Sequence, residues 1–106
     1  MPRLVHLGIN PIGSGTVWNQ PKDVNATLER LLSKHGDWYR YAAQNYVLFT
    51  DANLTSLATE IRTLPGFQHS YCLLVEIGNW DPNHLNGWID PKFWQWINGK
   101  RWYPRA

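Results

Sequence analysis

The sequence predicts an α+β domain in which a four-stranded antiparallel sheet packs against two helices, followed by a tryptophan-rich C-terminal extension. Three observations predict this class. The chain has 106 residues, 43% hydrophobic and 17% charged, which is the size and composition of one globular core. Apolar residues recur at strand spacing in four segments and at helical spacing in two others. Five of the seven tryptophans lie beyond residue 78.

The first two elements are a strand and an amphipathic helix. Leu4–Ile9 alternates bulky residues and stops at Asn10-Pro11, as a strand followed by a loop does. Asp23 is a candidate N-cap and Gly36 a candidate stop for a helix between them. Its apolar residues recur at i, i+4, i+7 and i+8, namely Val24, Leu28, Leu31 and Leu32.

A hairpin follows the helix. The segments Asp37–Ala43 and Asn45–Thr50 are rich in Tyr, Trp, Val and Phe, residues that favour strands. They leave room only for a tight reversal near Gln44. The two segments are therefore expected to pair as antiparallel strands.

A second helix and a fourth strand complete the pattern. Asp51 or Asn53 is expected to cap the helix, and Pro65-Gly66 to end it. The apolar stripe of the helix is Leu54, Leu57, Ala58, Ile61 and Leu64. Tyr71–Ile77 then forms a largely apolar strand with Glu76 as its one charged residue, so we expect this strand to be covered. Its Cys72 is expected to be a buried small hydrophobe.

The order strand, helix, hairpin, helix, strand predicts a ferredoxin-like βαββαβ sandwich over residues 1–77, with strand order 4-1-3-2. The helices are expected to cover one face of the sheet. One core should then lie between helices and sheet. The residues predicted for it are Leu28, Leu31, Leu32, Val47, Phe49, Leu57, Ala58, Ile61, Leu73 and Val75.

Residues 78–106 are expected to form an extension that packs on the same domain. Within it Asp90 can cap a helix of about two turns with Pro91 in its first position, and Gly99 is expected to end that helix. The residues on its inward face would be Phe93, Trp96 and Ile97.

The segments Tyr46–Asp51 and Cys72–Ile77, with Leu54, Leu57 and Ile61 between them, resemble the family of VapD endoribonucleases and of the smaller nuclease-like subunit of CRISPR adaptation. The resemblance covers Leu4–Ile77 and implies a homodimer. It also implies metal-dependent cleavage through a carboxylate at the end of the first strand. At that position this chain has Asn10, a neutral ligand that cannot act as the anionic anchor of a metal.

Charge, cysteine and histidine content narrow the possible chemistry. Ten Lys and Arg against eight Asp and Glu give a net charge of +2, so overall charge does not indicate a polyanion partner. A lone cysteine cannot form an intramolecular disulfide or a cysteine zinc cluster, which fits a reducing compartment. The four histidines contain no pair at helical metal spacing. We therefore predict no metal, no cofactor and, with no signal-like or membrane-length segment, a cytoplasmic protein.

The tail offers a candidate binding surface because cations alternate with aromatic rings there. Such a pattern suits stacking on bases and neutralising phosphates. The alternative is that the rings pack against the open sheet face while the cationic stems lie over them. The candidate binding residues are Lys92, Trp94, Lys100, Arg101, Trp102 and Arg105.

The function predicted from these features is a small non-enzymatic binding module that acts as a homodimer, with a protein or a nucleic acid as partner and no membrane association. The alternative is a metal-dependent endonuclease of the VapD-like type acting on RNA or DNA. In that alternative Asp51 or Asp81 would replace the missing first-strand carboxylate, although Asp51 can also be explained as a helix cap.

Overall fold

A computed structural model describes residues 2–10, 21–65, 67, 71–78 and 87–101. These residues form an α+β structure, as the sequence predicts. Its elements in chain order are β1 (Arg3–Asn10), α1 (Pro21–His35), β2 (Gly36–Ala42), β3 (Asn45–Thr50), α2 (Leu54–Thr63), β4 (Tyr71–Gly78) and α3 (Pro91–Arg101).

The described strands form one antiparallel sheet in the order β2-β3-β1-β4. From the β4 edge this order reads 4-1-3-2, and the architecture is compatible with the ferredoxin-like class. The β2–β3 reversal occupies residues 43–44, and the Gln44 carbonyl accepts a hydrogen bond from the Ile9 amide at 3.0 Å. The hairpin end is thereby joined to β1.

The first core lies between the sheet and helices α1 and α2. Side chains alternate across a strand, so Val5, Leu7 and Ile9 of β1 all face this core. Helix residues at the predicted spacing meet them, and Ala58 alone among the predicted helix residues of this core is only half-buried. The helix residues buried here are Leu28, Leu31, Leu32, Leu57 and Ile61.

A second core lies on the opposite face of the sheet, so the prediction of a single core is wrong. Leu4 and Val47 are buried there against Phe93 and Ile97 of α3, and Phe49 packs beside them. The alternation of β3 places Tyr46 and Leu48 against α1 and α2 and therefore directs Val47 and Phe49 to the other face. The sheet is thus sandwiched between two layers of helix.

Two of the predicted helix boundaries differ from the structure, and a third is one of two predicted alternatives. Helix α1 begins at Pro21, so Asp23 lies inside the first turn and is not the cap. Of the two predicted caps of α2, Asn53 is the cap, because its Oδ1 accepts from the Ser56 amide at 3.0 Å. Helix α3 continues past Gly99 to Arg101, because glycine weakens a helix without necessarily ending it.

The predicted burial of the fourth strand is also wrong. Leu73 and Val75 were expected in the core, but they are 63% and 45% exposed, and Cys72 is exposed too. The reason is positional. Strand β4 is an edge strand of the described sheet, and α3 packs on a different part of the second face.

Candidate functional site

Helix α3 leaves part of the second sheet face open. Asp90 caps the helix by accepting from the Lys92 amide at 2.9 Å, and Pro91 occupies its first position, as the sequence predicts. This start aims Phe93 and Ile97 at the sheet, where both are fully buried beside Leu4 and Val47. The helix therefore lies over the side of the face formed by β2, β3 and the beginning of β1.

An aromatic cluster fills the contact between α3 and β2. The Phe93 ring lies 5.5 Å from Tyr39 and 5.1 Å from Trp94, both edge-on, which is a favourable arrangement for aromatic pairs. The Trp96 indole donates to Oδ2 of Asp37 at 3.1 Å, and the Tyr39 hydroxyl donates to Oδ2 of Asp90 at 3.3 Å. These contacts show that the aromatic residues Phe93, Trp94 and Trp96 of α3 pack within the structure.

The predicted binding residues of the tail are only partly within the described chain. Lys92 is exposed and Trp94 is half-buried. Two positions apart on a helix are about 200° apart around its axis, so these two residues project from different sides. Lys100 and Arg101 lie in the last turn of α3, and their side chains are outside the description, as are Trp102 and Arg105 entirely.

The uncovered part of the second face carries a row of exposed apolar side chains. Tyr71, Leu73 and Val75 alternate along β4 on this face and are 69%, 63% and 45% exposed. We call these three residues the β4 stripe. The partner of Leu73 in β1 is Gly8, which has no side chain to cover it. Within the described residues one other large apolar side chain is exposed, that of Trp88.

Sequence reasoning missed this stripe although β1 contains a signal for it. The residues of β1 on this face are Leu4, His6 and Gly8, so the face becomes polar and then bare along the strand. A strand face that changes from apolar Leu4 to polar His6 and then to Gly8 does not support an apolar core along its whole length. Because Gly8 has no side chain, it cannot shield its neighbour Leu73 on β4, which is therefore exposed unless another part of a protein covers it.

A shallow cavity of about 270 Å³ lies at one end of the β4 stripe, lined by Gly8, Ile9, Asn45, Tyr71, Cys72 and Leu73. None of its lining residues is charged. Its polar groups are the Asn45 amide, the Tyr71 hydroxyl and the Cys72 thiol. Although Cys72 is exposed, desolvation by its neighbours raises the pKa of the thiol, so the sulfur stays protonated and weakly nucleophilic at neutral pH.

A histidine–tyrosine pair separates the β4 stripe from the aromatic cluster. Nε2 of His6 and the Tyr41 hydroxyl are joined by a hydrogen bond of 2.5 Å. Burial lowers the pKa of His6 and raises the pKa of Tyr41, so both side chains are neutral at pH 7. Val75 lies opposite His6 on the next strand. The stripe is therefore bordered by a neutral polar pair.

Asp51 is the one carboxylate candidate for metal-dependent chemistry that lies within the described residues. Asp51 is exposed at the end of β3, between Thr50 and Ala52, whose carbonyl oxygens each accept from Nη1 of Arg3 at 2.8 Å. The described residues contain no group of three or more His, Cys, Asp or Glu side chains able to hold a metal ion. Asp81, the other candidate, lies outside the described residues.

No helix in the described part of the chain is long and apolar enough to cross a membrane. No protein-family model matches the chain, and no curated protein is significantly similar to it.

Proposed function

We propose that this protein is a small binding module that acts as a homodimer. The observation that carries the proposal is the β4 stripe, a row of exposed apolar side chains at the edge of the described sheet. Small proteins rarely leave adjacent large apolar side chains in water unless the surface binds something. The uncharged cavity beside the stripe extends the same apolar surface.

A protein partner suits this surface better than a nucleic acid does. Binding to nucleic acid depends on cations that neutralise phosphates, and neither the stripe nor the cavity beside it contains a Lys or Arg. Aromatic and aliphatic side chains with a few neutral polar groups are typical of the centre of protein interfaces. The stripe combines Tyr71, Leu73 and Val75 with the neighbouring Asn45 amide in this way.

The proposal is tested by light scattering after size exclusion, at concentrations from about 1 to 200 µM, a range that covers typical weak to moderate dimers. A homodimer gives twice the chain mass of 12.4 kDa at the upper concentrations. A mass of one chain throughout the range contradicts the proposal. Fluorescence anisotropy with a labelled single-stranded oligonucleotide, run at 50 and 200 mM salt, tests the nucleic-acid partner through the tail.

Metal-dependent endonuclease activity is the second candidate, because Asp51 is an exposed carboxylate at a strand end within the segment that resembles the nuclease family. The Arg3 guanidinium binds the carbonyl oxygens of the two residues that flank Asp51, Thr50 and Ala52. Labelled RNA and DNA incubated with Mg²⁺ or Mn²⁺ test the activity. Cleavage that is lost in Asp51→Asn or Asp81→Asn supports it, and intact substrates at high enzyme concentration exclude it.

A further inference from the structure

The two edges of the described sheet are protected to different degrees. At the β2 edge, the Trp38 indole donates to Oγ of Ser33 at 2.9 Å, and its ring packs edge-on against Tyr46 on the α1 side. On the other side, Trp96 of α3 hydrogen-bonds Asp37 at the start of the strand. Helices α1 and α3 thus contact the two faces of β2 through Trp38 and Trp96.

Among the described residues, no helix covers the stripe side of β4 over Tyr71–Val75. Natural edge strands avoid unwanted pairing by carrying lysine, proline or unpaired inward charges. Strand β4 contains neither lysine nor proline, and its one charged residue, Glu76, accepts from Nε of Arg3 in the same chain at 2.8 Å. The charge that would repel a second strand is therefore already neutralised, and the apolar residues of the strand remain exposed.

We propose that two copies of this chain pair through their β4 strands, antiparallel, with Leu73 of each copy on the two-fold axis. This inference rests on the proposed homodimer and assigns its interface. In this register Leu73 faces Leu73 and Tyr71 faces Val75 on the stripe side, while Cys72 faces Leu74 on the other. Aromatic and β-branched residues opposite each other, such as Tyr71 and Val75, are among the favourable cross-strand pairs.

The geometry and the charges of the strand suit a second copy in this register. The paired segment Tyr71–Val75 is the regular part of β4, because the register irregularity with β1 falls between Leu4 and Val5, opposite the far end of the strand. The two Glu76 residues lie outside this segment at opposite ends. Six residue positions separate them along the strand direction, about 20 Å at 3.3 Å per residue, so they do not repel each other.

The first experiment compares two lysine substitutions by light scattering. Leu73→Lys places like charges opposite each other on the axis and should give a monomer, and because Leu73 is 63% exposed its circular dichroism should stay that of the wild type. Trp88→Lys is the matched control, since Trp88 is fully exposed but lies outside β4, and it should remain a dimer. A dimeric Leu73→Lys or a monomeric Trp88→Lys overturns the interface and leaves the homodimer standing. A monomeric wild type overturns both.

The second experiment fixes the register by mild oxidation of two double variants. In Cys72→Ser/Leu73→Cys, the new cysteines face each other across the axis with Cα atoms about 4.5–5.5 Å apart, within reach of a disulfide, and a covalent dimer should form. In Cys72→Ser/Val75→Cys, each cysteine lies four positions from its counterpart, more than about 10 Å away, so no cross-link should form. Cross-linking of the Val75→Cys variant alone, or of neither variant while light scattering shows a dimer, overturns the proposed register.

Discussion

Truncating Phe93 to alanine tests whether α3 is part of the structural core. Phe93 is fully buried, and its ring contacts Tyr39, Tyr41, Trp94 and Trp96 at centroid distances of 5.1 to 6.2 Å. Removing a buried phenylalanine ring costs about 3–5 kcal/mol, because apolar burial is lost and a cavity remains. A domain of this size is typically stable by only about 5–15 kcal/mol. Phe93→Ala should therefore remove about a fifth or more of the total stability.

Urea denaturation followed by far-UV circular dichroism and by tryptophan fluorescence measures this loss. Trp88→Ala is the matched control, because Trp88 belongs to the same part of the chain but is fully exposed, and its loss should change stability by no more than about 0.5 kcal/mol. If Phe93→Ala unfolds at the same urea concentration and with the same m-value as Trp88→Ala, α3 does not pack on the sheet. A lowered m-value in Phe93→Ala alone would show that the helix detaches before global unfolding, since m reports the surface exposed.

Three further outcomes are expected. Gly36→Ala should destabilise the fold by more than about 1 kcal/mol in thermal melts, because the added Cβ would lie 2.2 Å from a backbone oxygen of β3. Gly99→Ala inside α3 should instead stabilise the fold by about 0.5–1 kcal/mol, because its Cβ would meet no atom within 4 Å. Asn53→Ala should cost about 1 kcal/mol in the same melts by removing the α2 cap, and Asp51→Ala should be silent. Burial lowers the pKa of His6 in the folded state, so the unfolded chain binds the proton first and the stability of the fold decreases as the pH falls below 6.5. The melting temperature of His6→Gln should therefore decrease less than that of the wild type between pH 7.5 and 5, and an equal decrease would contradict the assigned burial.

Local pattern predicted the elements because secondary structure depends on spacing within a short segment. The apolar positions of α1 and α2 were readable from their helical period, and their buried residues include Leu28, Leu32, Leu57 and Ile61. The cap of α3 was equally local, since Asp90 and Pro91 are the residues that favour a helix start. The sequence left Asp51 and Asn53 as alternative caps of α2, and the backbone geometry decided for Asn53.

The candidate site was less predictable because it depends on which residues the tertiary fold leaves uncovered. The sequence directed attention to the tail, where charge and aromatic rings alternate, yet Trp94 and Trp96 pack into the aromatic cluster. The β4 stripe looked like core because Leu73 and Val75 are apolar and their strand carries one charge. The predicted strand order already placed this strand at the sheet edge, but composition does not show whether anything covers the face of an edge strand.

The amino-acid sequence by itself determined the class of the structure, the order of its strands and helices along the chain, and the residues able to face a core in each. The tertiary structure alone decided how the apolar residues were divided between two faces and which were left exposed. The physical reason is that alternation along a strand sets which side chains share a face, whereas burial depends on what packs over that face. Helix α3 lies over Val47 and Leu4 but leaves Leu73 opposite the bare Gly8, and that placement creates the surface through which we expect two copies to meet.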